Sequence, residues 1–491
     1  MQAAVPDKTR PGPVSAAAAA PQPIVVGAGP AGIRAAQALV RAGLRPVVLD
    51  EAQRAGGQIY RQPPPGFQRG GRDLYGFEHR KAASLHQAMQ ALLPAIDYRP
   101  GALVWNCEDG VLDVLRDGRN ETVAYSHLIL ATGATDRVLP FPGWTMPGVY
   151  TLGGAQVALK FQGCGIGQRV AFMGTGPLLY LVAYQYAKAG AQVAAVLDTS
   201  TAADRLAAMP GLARAPGLAA KGLYTMGWLR WRGIPMYTGV RPDHVIGYER
   251  VSGVVCRQGN GQDGGRTLRI ACDAVAYGLG LRAETQLAAV AGCRFDYHER
   301  DRAWLPKRDA AGRTSVPGVY VAGDGAGIAG ADAAELAGER AALALLQDLG
   351  MPVDTARART LGRKLARQDR LRDALERAFP FPAEWAASLD DDVVLCRCEE
   401  ITVGALRASA QVDGARELNR GKALTRVGMG RCQGRMCGAA AAEVLARASG
   451  VPLPQVGWLR AQPPIKPIPI QLFAMDMGDE PDLGLTARGR S

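Results

Sequence analysis

The chain is organised around a short apolar strand that runs into a glycine turn, Pro23-Ile24-Val25-Val26-Gly27-Ala28-Gly29-Pro30-Ala31-Gly32. Within this G-x-G-x-x-G spacing, Gly27 permits the tight turn and Gly29 lets a pyrophosphate approach the backbone. Gly32 lets the following helix pack closely on the strand, and Pro30 suits a first helical turn because it has no N–H. The pyrophosphate would lie at the positive end of the helix dipole. The stretch therefore predicts a dinucleotide site formed by Gly27, Gly29, Pro30, Ala31 and Gly32.

The residues that follow complete a β-α-β unit. We predict a helix over Ile33–Ala42, ended by Gly43, and a second strand over Pro46–Leu49 that leads into Asp50. An acid about 20 residues after the turn can accept the ribose hydroxyls of an adenine nucleotide. The alternative is a glycine-rich turn without a ligand, but the strand, the helix and the acid together favour a site. The same site is expected to include Glu51, Gly57 and Gln58.

Length and composition limit the class of protein. The chain has 491 residues, of which 48% are hydrophobic, so about three domains with large cores are expected. The 57 basic and 45 acidic residues give a net charge of +12. They form no aromatic-plus-basic pattern, so nucleic acid is not predicted as a partner. No apolar run reaches the roughly 18 residues of a transmembrane segment.

The cysteines indicate the compartment. There are nine, an odd number, and five of them are scattered singly. Such usage is not typical of a secreted disulfide framework, so we expect a reducing cytoplasm, with membrane association only through a complex. Residues 1–21 have no strong secretory signal and are predicted to be a disordered leader.

Between residue 81 and residue 133 the pattern predicts a helix and then short strands with hairpin turns. The helix covers Lys81–Leu93, and the last strand, Leu128–Ala131, runs into a tight turn at Thr132 and Gly133. The other two strands are predicted over Ala102–Trp105 and Val111–Leu115.

A second strand–turn–helix–strand series covers residues 169–198. Gly174 and Gly176 lie in its turn and Asp198 ends its second strand. Leu179 occupies the place of the third glycine, which weakens the close packing that a nicotinamide dinucleotide site needs. Two interpretations therefore stay open: the unit binds NAD(P) or another adenine nucleotide such as ATP, or it keeps the shape and binds nothing.

A third landmark is the strand Val319–Ala322, followed by Gly323, Asp324 and a glycine loop. The helix Ala331–Asp348 comes next, and its Gly338 would allow close approach of a neighbour. In open α/β sheets ligands bind beyond the carboxyl ends of the strands, which is where Asp324 lies. The alternative is a plain strand–turn–helix with a surface aspartate.

After residue 350 the sequence predicts a helical linker over residues 351–392, followed by the boundary of the next domain. A basic amphipathic helix over Thr360–Phe379 is expected to pack on its own domain, although such a helix can also meet a membrane or a partner. Near the C-terminus, the proline-rich segment Gln462–Pro469 is expected to be extended and able to lie along a partner.

Four cysteines lie in two short runs, Cys396 and Cys398 in the first and Cys432 and Cys437 in the second. Four thiolates in a small space need a metal, and both zinc and [2Fe–2S] accept four cysteines. The Cys-x-Cys spacing differs from the usual zinc ribbon. Glycines such as Gly438 could turn backbone N–H groups towards sulfur, which tunes an iron–sulfur cluster. We favour [2Fe–2S]; zinc and a metal-free site stay open.

Together the landmarks resemble the two-dinucleotide-domain flavoproteins of the glutathione and thioredoxin reductase class, over residues 22–350. The resemblance implies an α/β fold with two Rossmann-like domains, FAD at the first turn, its adenosine ribose on Asp50, its ribityl chain near Asp324, and NAD(P)H in the second unit. Two features depart from the class. No Cys-x-x-Cys pair precedes residue 390, so disulfide reduction is not expected, and Leu179 replaces the third glycine.

The Cys-Arg-Cys-Glu-Glu and Gly-Arg-Cys-Gln-Gly-Arg-Met-Cys-Gly runs resemble the bacterioferritin-associated-ferredoxin-like [2Fe–2S] domain. The whole arrangement is similar to the A subunits of opine oxidases, D-hydroxyproline dehydrogenase and cyanide-forming glycine dehydrogenase, and to the alpha subunit of heterotetrameric sarcosine oxidase. This resemblance implies an FAD and [2Fe–2S] electron-transfer subunit. In such complexes, a D-amino-acid-oxidase-like beta subunit would oxidise the amine, and a small ferredoxin-like subunit would accompany it.

The sequence offers no acid–base catalyst, because its five histidines show no triad or metal-ligand spacing. Two other functions remain open: a self-sufficient NAD(P)H-dependent flavin reductase, and a scaffold with a vestigial flavin site. The predicted organisation is a leader (1–21), a first flavin-domain part (22–150), an inserted NAD(P)-like domain (151–268), a second flavin-domain part (269–350), a helical linker (351–392), an iron–sulfur domain (393–452) and a tail (453–491).

Overall fold

The computed structural model describes residues 22–67, 69–259, 265–382 and 384–470. The predicted disordered leader lies outside these residues, as do the last 21 residues of the predicted tail. Among the described residues, no helix has the length and apolar character needed to cross a membrane.

The strands and helices appear in the following order along the chain. The strands are β1 (Pro23–Val26), β2 (Val47–Asp50), β3 (Asp97–Pro100), β4 (Leu103–Glu108), β5 (Val111–Arg116), β6 (Arg119–Ala124), β7 (His127–Leu130), β8 (Ala134–Asp136), β9 (Val149–Thr151), β10 (Arg169–Thr175), β11 (Gln192–Asp198), β12 (Met236–Thr238), β13 (Val240–Gly247), β14 (Val251–Gln258), β15 (Arg266–Ala271), β16 (Ala274–Leu279), β17 (Leu281–Ala283), β18 (Phe295–His298), β19 (Ala303–Pro306), β20 (Val319–Val321), β21 (Val394–Cys396) and β22 (Ile401–Thr402). The α-helices are α1 (Pro30–Arg41), α2 (Gly71–Tyr75), α3 (His79–Leu92), α4 (Leu152–Val157), α5 (Pro177–Lys188), α6 (Ala202–Leu212), α7 (Pro216–Trp231), α8 (Gln286–Val290), α9 (Ala331–Asp348), α10 (Thr355–Ala378), α11 (Val403–Gln411), α12 (Leu418–Thr425), α13 (Gly438–Ser449) and α14 (Leu453–Val456).

The first sheet has five parallel strands in the order β20-β7-β1-β2-β3. Its central strands are buried on both faces, as parallel strands usually are. Alternate residues of β1 point to opposite sides: Val25 packs with α1 and α9, whereas Ile24 and Val26 pack with the antiparallel meander β4-β5-β6. The sheet is therefore the middle layer of three.

The contact between α1 and α9 requires glycine. A Cβ atom on Gly338 of α9 would overlap the backbone carbonyl oxygen of Ala31 in α1. The sequence-based expectation that Gly338 allows a close approach is confirmed, and its neighbour is the helix that begins at the first glycine turn.

The second sheet is also parallel, in the order β12-β11-β10-β16-β9. Strand β16 lies between β10 and β9, so residues 274–279 belong to this sheet. The predicted start of the second flavin-domain part at residue 269 is therefore too early, because it falls within β15 and leaves β16 out of the second unit. At the other end, β9 extends the second unit to residue 149. A buried apolar run such as β16 carries no sign of which of two parallel sheets it joins, so the sequence misplaced the boundary.

Most predicted elements form within a few residues of their predicted ends. Two differences concern helices. Helix α2, which precedes the predicted helix Lys81–Leu93, and the helices α6 and α7 over residues 202–231 have no counterpart among the predicted elements. The predicted basic helix begins earlier, at Thr355, and packs on α9 and α6 as expected for a helix of its own domain.

The C-terminal region forms the hairpin β21-β22 and the helices α11 to α14. Its core, which includes Leu406, Val427 and Leu445, is continuous with the apolar face of the second sheet at Met173 and Tyr277. This region is thus packed against the second dinucleotide unit rather than separate from it.

The proline-rich tail was expected to be extended and able to lie along a partner. Its described residues pack on this chain. Ile465 is buried against the β4-β5-β6 meander, its N–H donates to the Trp105 carbonyl at 3.0 Å, and Lys466 pairs with Glu51. Proline leaves few backbone donors in this segment, so side-chain packing and one backbone bond hold it.

The α1–α9 contact gives a stability prediction. We expect Gly338→Ala to lower the free energy of unfolding by about 1–3 kcal/mol, because the new methyl group must displace backbone. Gly362→Ala is the matched control: a Cβ at Gly362 in α10 would have nothing within 4 Å. The control should raise stability by about 0.5–1 kcal/mol, since alanine is the better helix former. Chemical denaturation measures both; equal effects would contradict the close-packing argument.

Candidate cofactor sites

The first glycine turn is held by contacts between backbone atoms. Gly27 has a φ of +104°, and its N–H donates to the Leu49 carbonyl at 2.7 Å. A Cβ at Gly27 would overlap the carbonyl oxygen of Ala131, and a Cβ at Gly32 would overlap the carbonyl oxygen of Gly27. Both glycines are therefore needed for packing, as their spacing predicts.

The glycine turn packs directly against the loop at Gly57. A Cβ on Gly57 would lie 2.9 Å from the Cα of Gly29, and the Gly56 N–H donates to the Ala28 carbonyl at 2.8 Å. Helix α1 begins here with Pro30, and Gly29 supplies no side-chain cap for its first N–H groups. Those N–H groups and the helix dipole form the anion-binding end that a pyrophosphate requires.

Asp50 and Glu51 differ in their surroundings although they are adjacent. Asp50 is 8% exposed, and its two carboxylate oxygens accept the N–H groups of Ala28 and Ala52, the latter at 2.7 Å. Burial raises the pKa of Asp50, and these two backbone donors act in the opposite direction. Glu51 is exposed and pairs with Lys466 of the C-terminal segment. Asp50 thus fastens the glycine turn to the end of β2.

The turn after β7 meets the segment after β17. The Thr132 hydroxyl donates to the Glu284 carbonyl at 2.5 Å, and the Glu284 N–H donates to the Gly133 carbonyl at 2.9 Å. A Cβ on Gly325 would lie 2.6 Å from the Thr132 hydroxyl oxygen. The predicted turn residues Thr132 and Gly133 therefore lie beside the glycine loop that follows β20.

That glycine loop carries Asp324. Its carboxylate accepts the N–H groups of Ala329 and Gly330, each at 2.9 Å, just before α9 begins. Burial raises the pKa of Asp324. A Cβ on Gly323 would lie 2.9 Å from the Cβ of Ala31 in α1. The predicted segments after β1, β7 and β20 thus converge at one edge of the sheet, while Gln58 lies at the exposed rim, where it accepts from Arg61 at 2.8 Å.

The second unit has the same topology but a different interior. A Cβ at Gly174 would overlap the carbonyl oxygen of Gly278, and Gly176 has open space around it. Leu179, in the place of the third glycine, is fully buried in the core between the second sheet and α5. The residue that breaks the glycine motif, Leu179, therefore serves as a buried core residue.

Both carboxylate oxygens of the acid at the end of β11 accept hydrogen bonds from this chain. Asp198 is fully buried, and one of its carboxylate oxygens accepts the Tyr180 hydroxyl at 2.6 Å and the Arg205 guanidinium at 2.5 Å. Its other oxygen accepts the Ser200 N–H at 2.8 Å. Burial raises the pKa of Tyr180, so its hydroxyl stays protonated as a donor. Tyr180, Arg205 and Ser200 thus use both carboxylate oxygens of Asp198.

The four cysteines of the two runs come together as two close pairs. The Cys396 and Cys437 thiols hydrogen-bond to each other, and so do those of Cys398 and Cys432. Each pair joins one cysteine of the first run to one of the second. Cys396 and Cys437 are almost fully buried, whereas Cys398 and Cys432 are partly exposed.

Hydrogen bonds shift the thiol pKa values within these pairs. The pKa of Cys396 falls to about 6, mainly because of the hydrogen bond from Cys437 and also because the N–H groups of Gly428 and Glu399 donate to its sulfur. The partner thiol, Cys437, has its pKa raised by the same bond and by burial. Backbone N–H groups that point at sulfur favour the thiolate form, which is the form that binds metal.

Gly438 does not turn its N–H towards sulfur, although the Gly428 N–H does so. The Gly438 N–H donates to the Gly434 carbonyl at 2.8 Å, not to sulfur. A Cβ on Gly430 would overlap the Cβ of Cys398, and a Cβ on Gly434 would lie 2.5 Å from a methyl carbon of Leu459. These glycines allow the loop to pack tightly around the cysteines. Within the described ranges, no three or more His, Cys, Asp or Glu side chains converge on one metal-ion position.

A short buried segment joins the first site to the cysteines. Glu284 contacts the Thr132 turn, as above, and the Gln286 side-chain amide donates to the Gln433 carbonyl, next to Cys432, at 2.9 Å. Arg282, in the same segment, is desolvated, which lowers its pKa, and it lies near Glu284 and the Cys432 thiol. Residues 282–286 therefore touch both candidate cofactor sites.

Comparison with known proteins gives the family. The pyridine nucleotide-disulphide oxidoreductase model matches residues 21–338, and the sarcosine oxidase A3 domain model matches residues 394–477. Among the opine oxidase A subunits, that of Rhizobium meliloti is 37% identical, over 91% of this chain and 85% of that relative. Hydrogen cyanide synthase subunit HcnB of Pseudomonas protegens is 35% identical, over 92% and 97% of the two chains. The crystal structure of L-proline dehydrogenase from P. horikoshii has a similar fold, with a TM-score of 0.65, 20% identity, and coverage of 92% and 78%.

The chain belongs to the family of opine oxidase A subunits and HcnB, within the pyridine nucleotide-disulphide oxidoreductases. It is an oxidoreductase subunit, and membership implies FAD as a cofactor. The first site fits FAD, because the first N–H groups of α1 have no side-chain cap and a Cβ on Gly57 would press on the Cα of Gly29 at 2.9 Å, so the loop beside the turn needs glycine. No Cys-x-x-Cys pair lies in the flavin domain, so the family's disulfide chemistry is not available there.

Several residues of these sites were not predicted from the sequence. Tyr180 lies one position after Leu179, in a stretch whose pattern indicates an ordinary helix, and Arg205 lies on a helix that was not predicted. Lys466 and Leu459 are far from the sites along the chain. Leu179 was the local signal that the second turn differs, and no local signal indicated that the adjacent Tyr180 would donate to Asp198.

The second unit gives a binding prediction. We expect neither NADH nor NADPH to bind saturably up to millimolar concentrations in isothermal titration, because Tyr180 and Arg205 occupy Asp198. Asp198→Asn should lower the free energy of unfolding by about 1–3 kcal/mol, since it leaves buried donors without acceptors. The control Asp296→Asn, at an exposed ion pair, should change it by less than about 0.5 kcal/mol. Saturable binding that Asp198→Asn abolishes would contradict this assignment.

Proposed function

We propose that the chain is the FAD and [2Fe–2S] electron-transfer subunit of a heteromeric dehydrogenase that oxidises an amine or amino acid. The contact of residues 282–286 with both candidate sites carries this proposal. Electron transfer needs cofactors that are close together and shielded from water, and this segment joins the two sites through buried atoms. The relatives named as subunits of opine oxidase and hydrogen cyanide synthase support the heteromeric part.

FAD would supply chemistry that exchanges electrons in pairs or singly, and the cluster would take them one at a time. The role of this chain is then to bind, orient and shield. Gly29, Gly57 and the start of α1 would hold the pyrophosphate. Asp324, turned inward by two N–H donors, would lie along the ribityl chain. The four cysteines of the two runs would bind the cluster; they are Cys396, Cys398, Cys432 and Cys437.

The two neighbouring acids, Asp50 and Glu51, would have different roles. Asp50 keeps both oxygens on backbone donors, so it positions the turn. Glu51 is exposed beside the turn, so its carboxylate can reach the ribose hydroxyls, and Lys466 holds it from the outer side. Spacing alone points to Asp50 as the ribose ligand, whereas the backbone contacts of Asp50 favour Glu51 in that role.

The cysteine arrangement favours [2Fe–2S] over zinc. The thiols form two pairs, and backbone N–H groups donate to the sulfur of Cys396, a hydrogen bond that tunes the potential of an iron–sulfur cluster. A structural zinc site would instead group four sulfurs around one point.

The substrate would be oxidised on a partner. We infer a D-amino-acid-oxidase-like flavoprotein beta subunit and a small ferredoxin-like subunit, with a donor of the opine, D-hydroxyproline, glycine or sarcosine type. The sequence offers no acid–base catalyst for the step, so hydride abstraction belongs to the partner. The alternative, an NAD(P)H-dependent flavin reductase, is disfavoured because both oxygens of Asp198 already accept hydrogen bonds from the chain itself.

The cysteine assignment gives a composition prediction. Purified without oxygen, the chain should contain about two irons and two acid-labile sulfides, with an electron paramagnetic resonance signal after dithionite reduction. Cys396→Ser and Cys432→Ser should each lose the iron and the signal. Cys164→Ser, at an exposed cysteine elsewhere, is the matched control and should keep both. One zinc per chain without sulfide would overturn the assignment.

The functional proposal is tested by reduction of the complex. The chain, co-purified with its partner subunits, should lose its flavin and cluster absorbance when a donor amine of the right type is added without oxygen. The isolated chain should not respond to the amine, and neither NADH nor NADPH should bleach either form. Prompt bleaching of the isolated chain by a nucleotide would replace the proposal with the reductase function.

A further inference from the structure

The buried segment between the two candidate cofactor sites contains polar atoms without partners. In the part of the chain that the structure describes, four buried side-chain atoms of this segment have no hydrogen-bond partner: Nε and Nη2 of Arg282, Oε2 of Glu284 and Oε1 of Gln286. Such atoms are uncommon in folded proteins because each costs free energy. Four of them in one short segment call for a functional explanation.

Arg282 and Glu284 form a loose ion pair on one side of the segment. Arg282 lies in β17, and alternate residues of a strand point to the same face. Its Nη2 atom is 3.7 Å from Oε2 of Glu284, which is too far for a hydrogen bond. The two side chains are only 17% and 8% exposed. Both charges are therefore largely removed from water without being fully paired, so they can act on a third charge nearby.

The cysteine loop supplies that third charge. Gln286 donates to the Gln433 carbonyl at 2.9 Å, which holds the segment beside Cys432. The Arg282 guanidinium interacts electrostatically with the thiols of Cys432 and Cys437. Since two of its nitrogen atoms have no partner, it can still donate hydrogen bonds towards this site.

A second cation near Arg282 is in a different position. Arg435 also interacts electrostatically with Arg282, but its Nε donates to the Cys432 carbonyl at 3.2 Å. Part of the Arg435 guanidinium is thus used by the loop itself. Arg282 is therefore the cation that reaches the cysteines from outside their own loop and keeps unused donors.

Burial gives the Arg282 charge a large effect on a redox centre. An arginine stays protonated in proteins, and a charge removed from water is screened much less than an exposed one. Four thiolate ligands give an iron–sulfur site net negative charge, and reduction adds one more negative charge. A buried cation therefore favours the reduced form, and hydrogen bonds to sulfur act in the same direction. A neighbouring carboxylate has the opposite effect.

We propose that Arg282 raises the reduction potential of the cluster held by the four cysteines, and that Glu284 moderates this effect. The proposal rests on the proposed function, since it requires an iron–sulfur cluster at the cysteines. The Glu284 backbone bonds to the Thr132 turn of the first site, so the ion pair is fixed between the two sites. Arg282 would thus make the cysteine site a better electron acceptor.

A redox titration followed by electron paramagnetic resonance tests the proposal on the anaerobically purified full-length chain. Arg282→Gln should lower the equilibrium constant for one-electron reduction of the cluster at least about tenfold, which corresponds to about 59 mV. Arg282→Lys keeps the charge and should retain most of the original midpoint. Glu284→Gln should raise the midpoint, because it removes the carboxylate that offsets Arg282. A general loosening of the fold would not move the two glutamine variants in opposite directions.

Arg431→Gln is the matched control. Arg431 precedes Cys432 in the chain but is exposed, so water and salt screen its charge. Its loss should change the same equilibrium constant by less than about threefold. An Arg282→Gln shift no larger than that of the control, at normal iron content, would overturn the proposal and leave the proposed function standing.

Iron and sulfide content, measured for every variant, separates the remaining outcomes. A chain that binds no iron at all would overturn the proposed function and this inference with it. If Arg282→Gln alone loses its iron, Glu284→Gln decides: a raised midpoint supports the proposal, and an unchanged or lowered midpoint contradicts it.

Discussion

Direct backbone contact at the start of α1 holds the first cofactor site together. Gly32 lies so close to the carbonyl of Gly27 that no Cβ would fit between them. Gly338 of α9 lies equally close to the carbonyl of Ala31. Because no side chain separates these segments, the turn after β1, the loop after β20 and helix α9 share one small volume. The carboxyl ends of the parallel strands then deliver Thr132 and Asp324 to the same edge. A methyl group at either glycine would push the layers apart.

The second unit shows what happens when this constraint is relaxed. Its sheet, turn and helix repeat the first topology, yet Leu179 stands where a glycine would have allowed the helix to approach. The acid at the end of β11 has internal donors in Tyr180, Arg205 and Ser200. A buried carboxylate without such donors would be costly, so these three donors stabilise the fold of the second unit.

The sequence predicted best what depends on local spacing. The glycine turns, the strand–helix–strand order and the convergence of Thr132 and Asp324 on the first turn follow from short patterns and from the rule that ligands lie at strand ends. Prediction failed where the outcome depends on long-range pairing, since strand β16 could have joined either sheet and the cysteines pair between runs. The spacing after the glycine turn points to Asp50, and only the structure shows that both of its carboxylate oxygens accept backbone N–H groups.

The C-terminal segment links sites that are far apart along the chain. Trp458 stacks on Phe295 with ring centres 4.4 Å apart, and Leu459 covers the glycines beside the cysteines. A few residues later Ile465 is buried against the flavin domain and Lys466 reaches Glu51. One short segment therefore packs on the cysteine loop and on the first site at once. Disturbing the cysteine loop would loosen this segment, and with it the cation that holds Glu51, so the two sites form one structural unit.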